Sequence, residues 1–80
     1  MSEEEIQIKA EKLWDRLFRH RISGNDPWFS TCRFVYVRKK VDGMAALCEH
    51  LRLGHVIRTG WLATSVRGYH NHVILWREKV

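Results

Sequence analysis

The fold of this chain is decided by residues 56–76, whose sequence is VIRTGWLATSVRGYHNHVILW. β-branched and aromatic residues dominate positions 56–66 and 72–76, and such residues favour strands. Positions 67–71 between them are mostly polar and include Gly68, as in the connecting loop of a hairpin. The sequence therefore predicts a β-hairpin in this region.

A third strand and a helix are predicted before the hairpin. Residues 28–40, WFSTCRFVYVRKK, are rich in aromatic and β-branched residues, and neither of their alternating faces is plainly polar. This pattern favours a strand in the interior of a sheet. A short helix is expected to follow, with Asp42 as its N-cap and Gly54 at its end. Its apolar stripe consists of Met44, Leu47, Cys48 and Leu51.

The first residues of the chain predict an amphipathic helix. Ser2 and Glu5 have the spacing of a capping box, and Ser23 followed by Gly24 is a sequence at which helices commonly end. Between these points, apolar residues recur at three- and four-residue steps, which is the period of one helix face. These residues are Ile6, Ala10, Leu13, Trp14, Leu17, Phe18 and Ile22.

The predicted order α-β-α-β-β indicates the α+β class. Eighty residues suffice for one small domain and are too few for two. We expect a two-layer sandwich in which two helices cover one face of a three-stranded sheet. One alternative is a winged-helix DNA-binding protein in which residues 44–65 form a helix-turn-helix. The β-branched residues Val56, Ile57 and Thr59 favour a strand over a recognition helix.

Composition indicates an ordinary globular protein. Hydrophobic residues make up 45% of the chain and charged residues 29%. Cys32 and Cys48 are too few for a disulfide framework, and no secretory leader precedes the first helix, so we expect a cytoplasmic protein. Apolar runs reach only a few residues, which predicts that the chain does not enter a membrane.

Positive charge is concentrated in the second part of the chain. Residues 1–26 hold five basic residues and six acids, a net charge of −1, whereas residues 27–80 hold nine and three, a net charge of +6. Such a field attracts polyanions, and exposed aromatic rings stack on unpaired bases. We therefore predict a protein that binds nucleic acid through a basic and aromatic face. Its candidate residues are Arg33, Arg38, Lys39, Lys40, Arg58, Trp61, Arg67 and Tyr69.

Histidines indicate a second kind of site to consider. His70 and His72 share a face if both lie in a strand, and they would then hold one metal ion only with further ligands from elsewhere in the fold. The candidates for those ligands are Cys48, His50 and His55, but their spacing matches no known zinc motif. We therefore predict no bound metal.

The segment HNHVIL, residues 70–75, also resembles the His-x-His strand of rolling-circle nucleases and tyrosine transposases. That resemblance implies a catalytic metal and a tyrosine nucleophile on a separate helix. The polar Asn71 departs from the pattern, and Tyr36 and Tyr69 are predicted in a strand and a loop. We therefore predict no enzymatic activity and no cofactor.

A further local resemblance favours another function. Part of the chain is similar to the helix, glycine, V-x-R-x-G-W segment of small phage proteins that counter host defence, with the leading glycine one residue out of step. It implies a phage protein that counters host defence. The small size of the chain, the absence of a catalytic set and the surplus of aromatic residues suited to interfaces favour the same alternative, a phage or mobile-element protein that binds and inhibits an acidic host protein. An outward-facing edge strand would also allow a homodimer. The residues that carry the resemblance are Ala46, Leu47, Val56, Arg58, Gly60 and Trp61.

Overall fold

Six elements follow one another in the computed structural model, which describes residues 1–63 and 70–79. Three are helices and three are strands, and the order of the long elements is the predicted α-β-α-β-β. The elements are α1 (Glu3–Arg19), α2 (Pro27–Thr31), β1 (Arg33–Val37), α3 (Lys40–Arg52), β2 (Val56–Ala63) and β3 (His70–Arg77).

The three strands form an antiparallel sheet in the order β1-β3-β2. β2 and β3 pair from Val56 opposite Arg77 to Ala63 opposite His70, which confirms the hairpin. His70 and Asn71 belong to β3 and not to the loop in which they were predicted, and residues 64–69 lie outside the described residues. β3 also pairs with β1 and is therefore the central strand. The α+β prediction is confirmed. The helix-turn-helix alternative is wrong, because the residues assigned to its recognition helix form β2.

Helices α1 and α3 pack on one face of the sheet. Ile74 of β3 and Val37 of β1 point into the core beneath them, and both are almost completely buried. Thr59 of β2 is fully buried on the same face, where its Oγ1 donates a 2.6 Å hydrogen bond to the carbonyl oxygen of Leu13. The buried residues of this core are Ile6, Ala10, Trp14, Leu17, Val37, Leu47, Cys48 and Ile74.

The opposite face of the sheet is only partly covered. Val73 and Leu75 form a second buried cluster there with Ile22, and Trp28 and Phe29 of α2 pack against it. The chain after α1 also joins the β2 edge, because the N–H of Ile22 donates to the carbonyl of Trp61 and the N–H of Trp61 donates to that of His20. Gly60 permits this approach, since a Cβ there would lie 2.6 Å from Ile22.

The strand predicted over residues 28–40 is shorter than expected. Its first part is helix α2, because Asp26 Oδ1 accepts a 3.0 Å hydrogen bond from the N–H of Trp28 and Pro27 occupies the first turn. The aromatic residues Trp28 and Phe29 therefore contact the sheet from a helix. The composition of this segment reflects burial and does not identify a strand.

The predicted interior position of the third strand is also wrong. β1 lies at an edge of the sheet, and four of its five residues are exposed. Apolar side chains on both faces of β1 remain exposed, because α2 ends before the strand begins and α3 does not cover Val35.

Two helix ends differ from the predictions. α1 ends at Arg19, with His20 as its C-cap, so Ser23 and Gly24 lie beyond it in the connection to α2. The extended pairing of residues 20–22 with β2 ends the helix earlier than the glycine would. α3 begins at Lys40, which places Asp42 in its first turn rather than at the N-cap. Its end is as predicted, because Gly54 has a positive φ of 75°.

Candidate functional site

Three aromatic rings form a continuous row on the partly covered face of the sheet. The ring centroids of Phe29 and Phe34 are 5.6 Å apart, and those of Phe34 and Tyr36 are 5.5 Å apart, both in edge-to-face geometry. Phe34 and Tyr36 have 44% and 50% of their surface exposed. We call Phe29, Phe34 and Tyr36 the aromatic row.

The position of β1 explains why this row faces solvent. Phe34 and Tyr36 lie opposite Leu75 and Val73 of β3, on the face that Ile22 and α2 cover. Ile22 and α2 cover this face as far as the central strand β3. Phe29 is the α2 ring that contacts β1, through Phe34. Alternation along β1 therefore directs two aromatic side chains past the cover and into solvent.

Several cations of the second part of the chain are held in ion pairs with acids of the first part. Lys40 Nζ lies 3.4 Å from Glu11 Oε2, on exposed surface. Arg52 contacts Glu3 through two hydrogen bonds of 2.9 and 2.8 Å. This contact lowers the pKa of the Glu3 carboxyl, chiefly through the hydrogen bond from Arg52. The predicted basic face is thus partly neutralised by α1.

Arg58 is a partly buried member of the predicted site. Its Nη1 lies 2.7 Å from Asp26 Oδ2, and the two side chains are only 27% and 11% exposed. Its Nη2 lies 3.2 Å from Nε2 of His20, and its guanidinium lies over the Trp28 ring at 5.9 Å. These contacts hold the connection between α1 and α2 against β2, so the structure gives Arg58 an anchoring role.

Five other cations of the second part have no ion pair among the described residues, and three of them, Arg38, Lys39 and Arg77, lie at the two ends of the aromatic row. Arg38 and Lys39 follow Tyr36 at one end of β1, and both are exposed. The other end of β1 meets the end of β3, because Arg33 pairs with Trp76. Arg77 lies there with its guanidinium 4.8 Å from the centre of the Trp28 ring. The five such cations are Arg33, Arg38, Lys39, Arg77 and Lys79.

The remaining predicted site residues do not join the row. Trp61 lies on β2 opposite His72, on the helix-bearing face, and the guanidinium of Arg21 lies 5.8 Å from its ring centre. Arg33 also points to the helix-bearing face, because its cross-strand partner Trp76 does. Arg67 and Tyr69 lie outside the described residues. Of the predicted residues that the structure describes, Arg38 and Lys39 are therefore the ones that lie beside the aromatic row.

Two residues of the candidate site are not among those predicted from the sequence. Phe34 and Tyr36 both belong to the strand segment, and neither is in the predicted set. The alternation in RFVYV contains the signal, since it places both rings on one face. Interpreting that signal also requires the strand order, which shows that this face borders an open edge.

His70 and His72 both belong to β3, as the two-histidine site requires, and two other histidines contact each other beside Trp76. His50 Nδ1 and His55 Nδ1 are 2.9 Å apart, and the His50 ring stacks on Trp76 with centroids 4.3 Å apart. Burial and the nearby His55 charge lower the pKa of His50. His72 instead packs against Phe18 at 4.6 Å. Within the described part of the chain, no three His, Cys, Asp or Glu side chains converge as metal ligands.

Comparison with known proteins assigns the chain to no family. No protein-family model matches the chain, and no curated protein or solved structure shows significant similarity to it. Among the described residues, no helix has the length and apolar character needed to cross a membrane.

Proposed function

We propose that this protein binds single-stranded nucleic acid on the aromatic row, with the exposed rings stacking on bases and the flanking cations contacting phosphates. The observation that carries the proposal is the pair of half-exposed rings, Phe34 and Tyr36, on one face of β1. Sheet surfaces with exposed aromatic residues bind unpaired bases in several RNA-binding folds, because every base offers a π-face.

Cations at both ends of the aromatic row also support the proposal. Arg38 and Lys39 at one end of the row, and Arg77 at the other, have no ion pair among the described residues. A single strand lying along β1 would therefore meet positive charge at each end and rings between them. Electrostatic attraction to phosphates supplies much of the affinity of such proteins and makes it depend on salt.

The arrangement favours a single strand over a duplex. The bases of a duplex are stacked on each other and do not present their faces to a protein side chain, whereas unpaired bases do. Phe34 and Tyr36 lie on a strand of five residues, about 16 Å long at roughly 3.3 Å per residue, which suits a contact of a few nucleotides.

The aromatic contribution is tested by fluorescence anisotropy with a labelled single-stranded oligonucleotide of about 12 nucleotides. Tyr36→Leu keeps an apolar side chain beside Phe34 but removes the stacking surface. We expect it to weaken binding about tenfold, since stacking contributes about 1–3 kcal/mol per base. A duplex of the same sequence should bind more weakly than the single strand.

Phe18→Leu provides the matched control. Phe18 is an aromatic residue of α1 with 54% of its surface exposed, and it lies on the opposite side of the sheet from the row. Equal affinities for Tyr36→Leu and Phe18→Leu would overturn the proposal. So would recovery from host lysate of a protein partner that survives nuclease treatment, combined with no measurable binding of the oligonucleotide; this result would favour the alternative of a host-protein inhibitor.

A further inference from the structure

A cavity of about 280 Å³ lies at the end of the sheet where Arg33 begins β1 and Arg77 ends β3. The end of α2 and His55, which precedes β2, also border it. Ligand cavities in proteins are commonly about 300 Å³ or larger. This cavity therefore suits a small polar group and not a large ligand.

Two arginines line the cavity, and neither has an ion pair among the described residues. The guanidinium of Arg77 lies 4.8 Å from the centre of the Trp28 ring, and such a contact positions the charge without neutralising it. Arg33 reaches the cavity from the helix-bearing face, because it pairs with Trp76. The two arginines therefore approach the cavity from opposite faces of the sheet, and their planar donor groups suit an anion with several acceptor oxygens.

Other polar groups of the cavity restrict the kind of anion. The Thr31 hydroxyl already donates a 2.9 Å hydrogen bond to the carbonyl of Pro27, so the arginines supply the charge-assisted donors. Glu78 carries the opposite charge, and two arginines with one glutamate give the lining a net charge of +1. A carboxylate accepts hydrogen bonds. The lining therefore suits an anionic group joined to hydrogen-bond donors, as in a nucleotide, better than a bare anion.

The cavity adjoins one end of the aromatic row. Phe34 pairs with Leu75, and Arg77 follows Leu75 by two residues on β3, so Arg77 lies on the face that carries the row. At roughly 3.3 Å per residue, the backbone of Arg77 lies about 7 Å beyond Phe34 along the sheet. A single strand whose bases stack on the row would therefore bring the phosphate at its end to the cavity.

We infer that the cavity binds the terminal phosphate monoester of a single strand whose adjoining bases lie on the aromatic row. A terminal phosphate carries a charge of about −1.5 to −2 at pH 7 and three acceptor oxygens, whereas an internal phosphate carries about −1, so the paired arginines favour the monoester. This inference rests on the proposed function and adds a preference for phosphorylated ends. A 5′-phosphate and a 3′-phosphate share this chemistry, and the experiment distinguishes them.

Fluorescence anisotropy with three internally labelled oligonucleotides tests the preference. They share one sequence of about 12 nucleotides and carry a 5′-phosphate, a 3′-phosphate or hydroxyls at both ends. We expect one phosphorylated strand to bind about tenfold more tightly than the hydroxyl-ended strand, because only the phosphate forms charge-assisted hydrogen bonds with the arginines. Arg33→Gln should abolish this preference and leave binding of the hydroxyl-ended strand unchanged. Arg38→Gln is the matched control: it lies at the other end of the row and should weaken binding of all three strands by the same factor.

Cys32 provides a second measurement, because its free thiol is half-buried and lines the cavity. At saturating concentrations, the preferred phosphorylated strand should slow alkylation of Cys32 by N-ethylmaleimide several-fold relative to the hydroxyl-ended strand, as followed by the mass of the Cys32 peptide. An undiminished preference in Arg33→Gln, or equal alkylation rates, would overturn the inference. Equal affinities for the three strands would reject the terminal-phosphate site and leave the proposed function intact, whereas failure of every strand to bind would reject both.

Discussion

Gly43 shows how a single residue sets the distance between two helices. It is buried on α3, and a Cβ built at this position would lie 2.2 Å from Cζ3 of Trp14 on α1. Trp14 is itself only 8% exposed, so its ring has little room to move. The absence of a side chain at Gly43 therefore allows the tryptophan to pack against the backbone of α3.

We predict that Gly43→Ala destabilises the protein despite the higher helix propensity of alanine. The propensity gain is about 1 kcal/mol, whereas overpacking of a core costs about 1–3 kcal/mol and the overlap here is with a rigid ring. Urea denaturation should show a lower free energy of unfolding. Gly24→Ala is the control, because a Cβ at that position would have nothing within 4 Å and the φ of Gly24 is not positive. Equal or greater stability of Gly43→Ala would contradict this account of α1–α3 packing.

At the same scale, Arg58 shows what sequence alone does not reveal about a side chain. Its position between Ile57 and Thr59 in a basic region makes it a candidate for phosphate contact. In the fold the Arg58 guanidinium forms an ion pair with Asp26, which also caps α2. The pairing depends on a chain reversal between α1 and α2 that no local pattern near Arg58 indicates.

At the scale of elements, β1 explains the main difference between the predicted and the observed fold. Its residues are apolar on both faces, which is typical of an interior strand. The structure places it at the edge because β3 pairs with both other strands. Strand order depends on which long-range pairing forms, and neither composition nor periodicity of β1 contains that information. The hairpin is predictable because its pairing is local.

The contact between α3 and the sheet contains a pH-sensitive pair. His50 of α3 and His55 before β2 share a 2.9 Å contact between their Nδ1 atoms, in which one ring must be an unprotonated acceptor. Burial, and then the charge of His55, lower the pKa of His50, while Glu49 acts in the opposite direction. Protonation of His50 therefore disfavours the folded state.

We predict that part of the stability is lost as the pH falls below the ordinary histidine pKa of about 6.5. The unfolded chain binds the His50 proton first, so this contribution is complete above that pH and decreases until the lowered folded-state pKa is passed. His50→Phe keeps a ring on Trp76 but removes the titration. Melting temperatures from pH 8 to pH 5 should fall more steeply for the wild type than for His50→Phe, and parallel curves would contradict the assignment.

At the scale of the whole molecule, the charge asymmetry of the sequence is only partly retained in the fold. The acidic residues of α1 and of its connection to α2 meet cations of the later elements, in the pairs Glu3–Arg52, Glu11–Lys40 and Asp26–Arg58. A net charge of +6 over residues 27–80 therefore overstates the open positive surface. Of the cations that have no ion pair in the described part of the chain, Arg38, Lys39 and Arg77 lie at the ends of the aromatic row.

The candidate site is accordingly predictable in its chemistry and not in its location. Basic and aromatic residues are present in the sequence, and a binding surface combining them is expected. Which residues form it depends on the fold: the predicted Trp61 lies on the helix-bearing face, whereas Tyr36 projects from an open edge. That distinction follows from sheet order and from the extent of the cover formed by Ile22 and α2.

The most direct test of the central claim is the salt dependence of oligonucleotide binding with the cations at one end of the row removed. For a single strand, the logarithm of the binding constant falls with the logarithm of salt concentration with a slope of about −0.7 per phosphate contacted. We predict that Arg38→Gln with Lys39→Gln makes the slope shallower by about 1.4. Lys9→Gln with Lys12→Gln, which removes the same charge from exposed positions of α1, should leave it unchanged. Equal slopes for the two double variants, or binding that does not weaken with salt, would contradict the assignment of the aromatic row and its flanking cations as a nucleic-acid site.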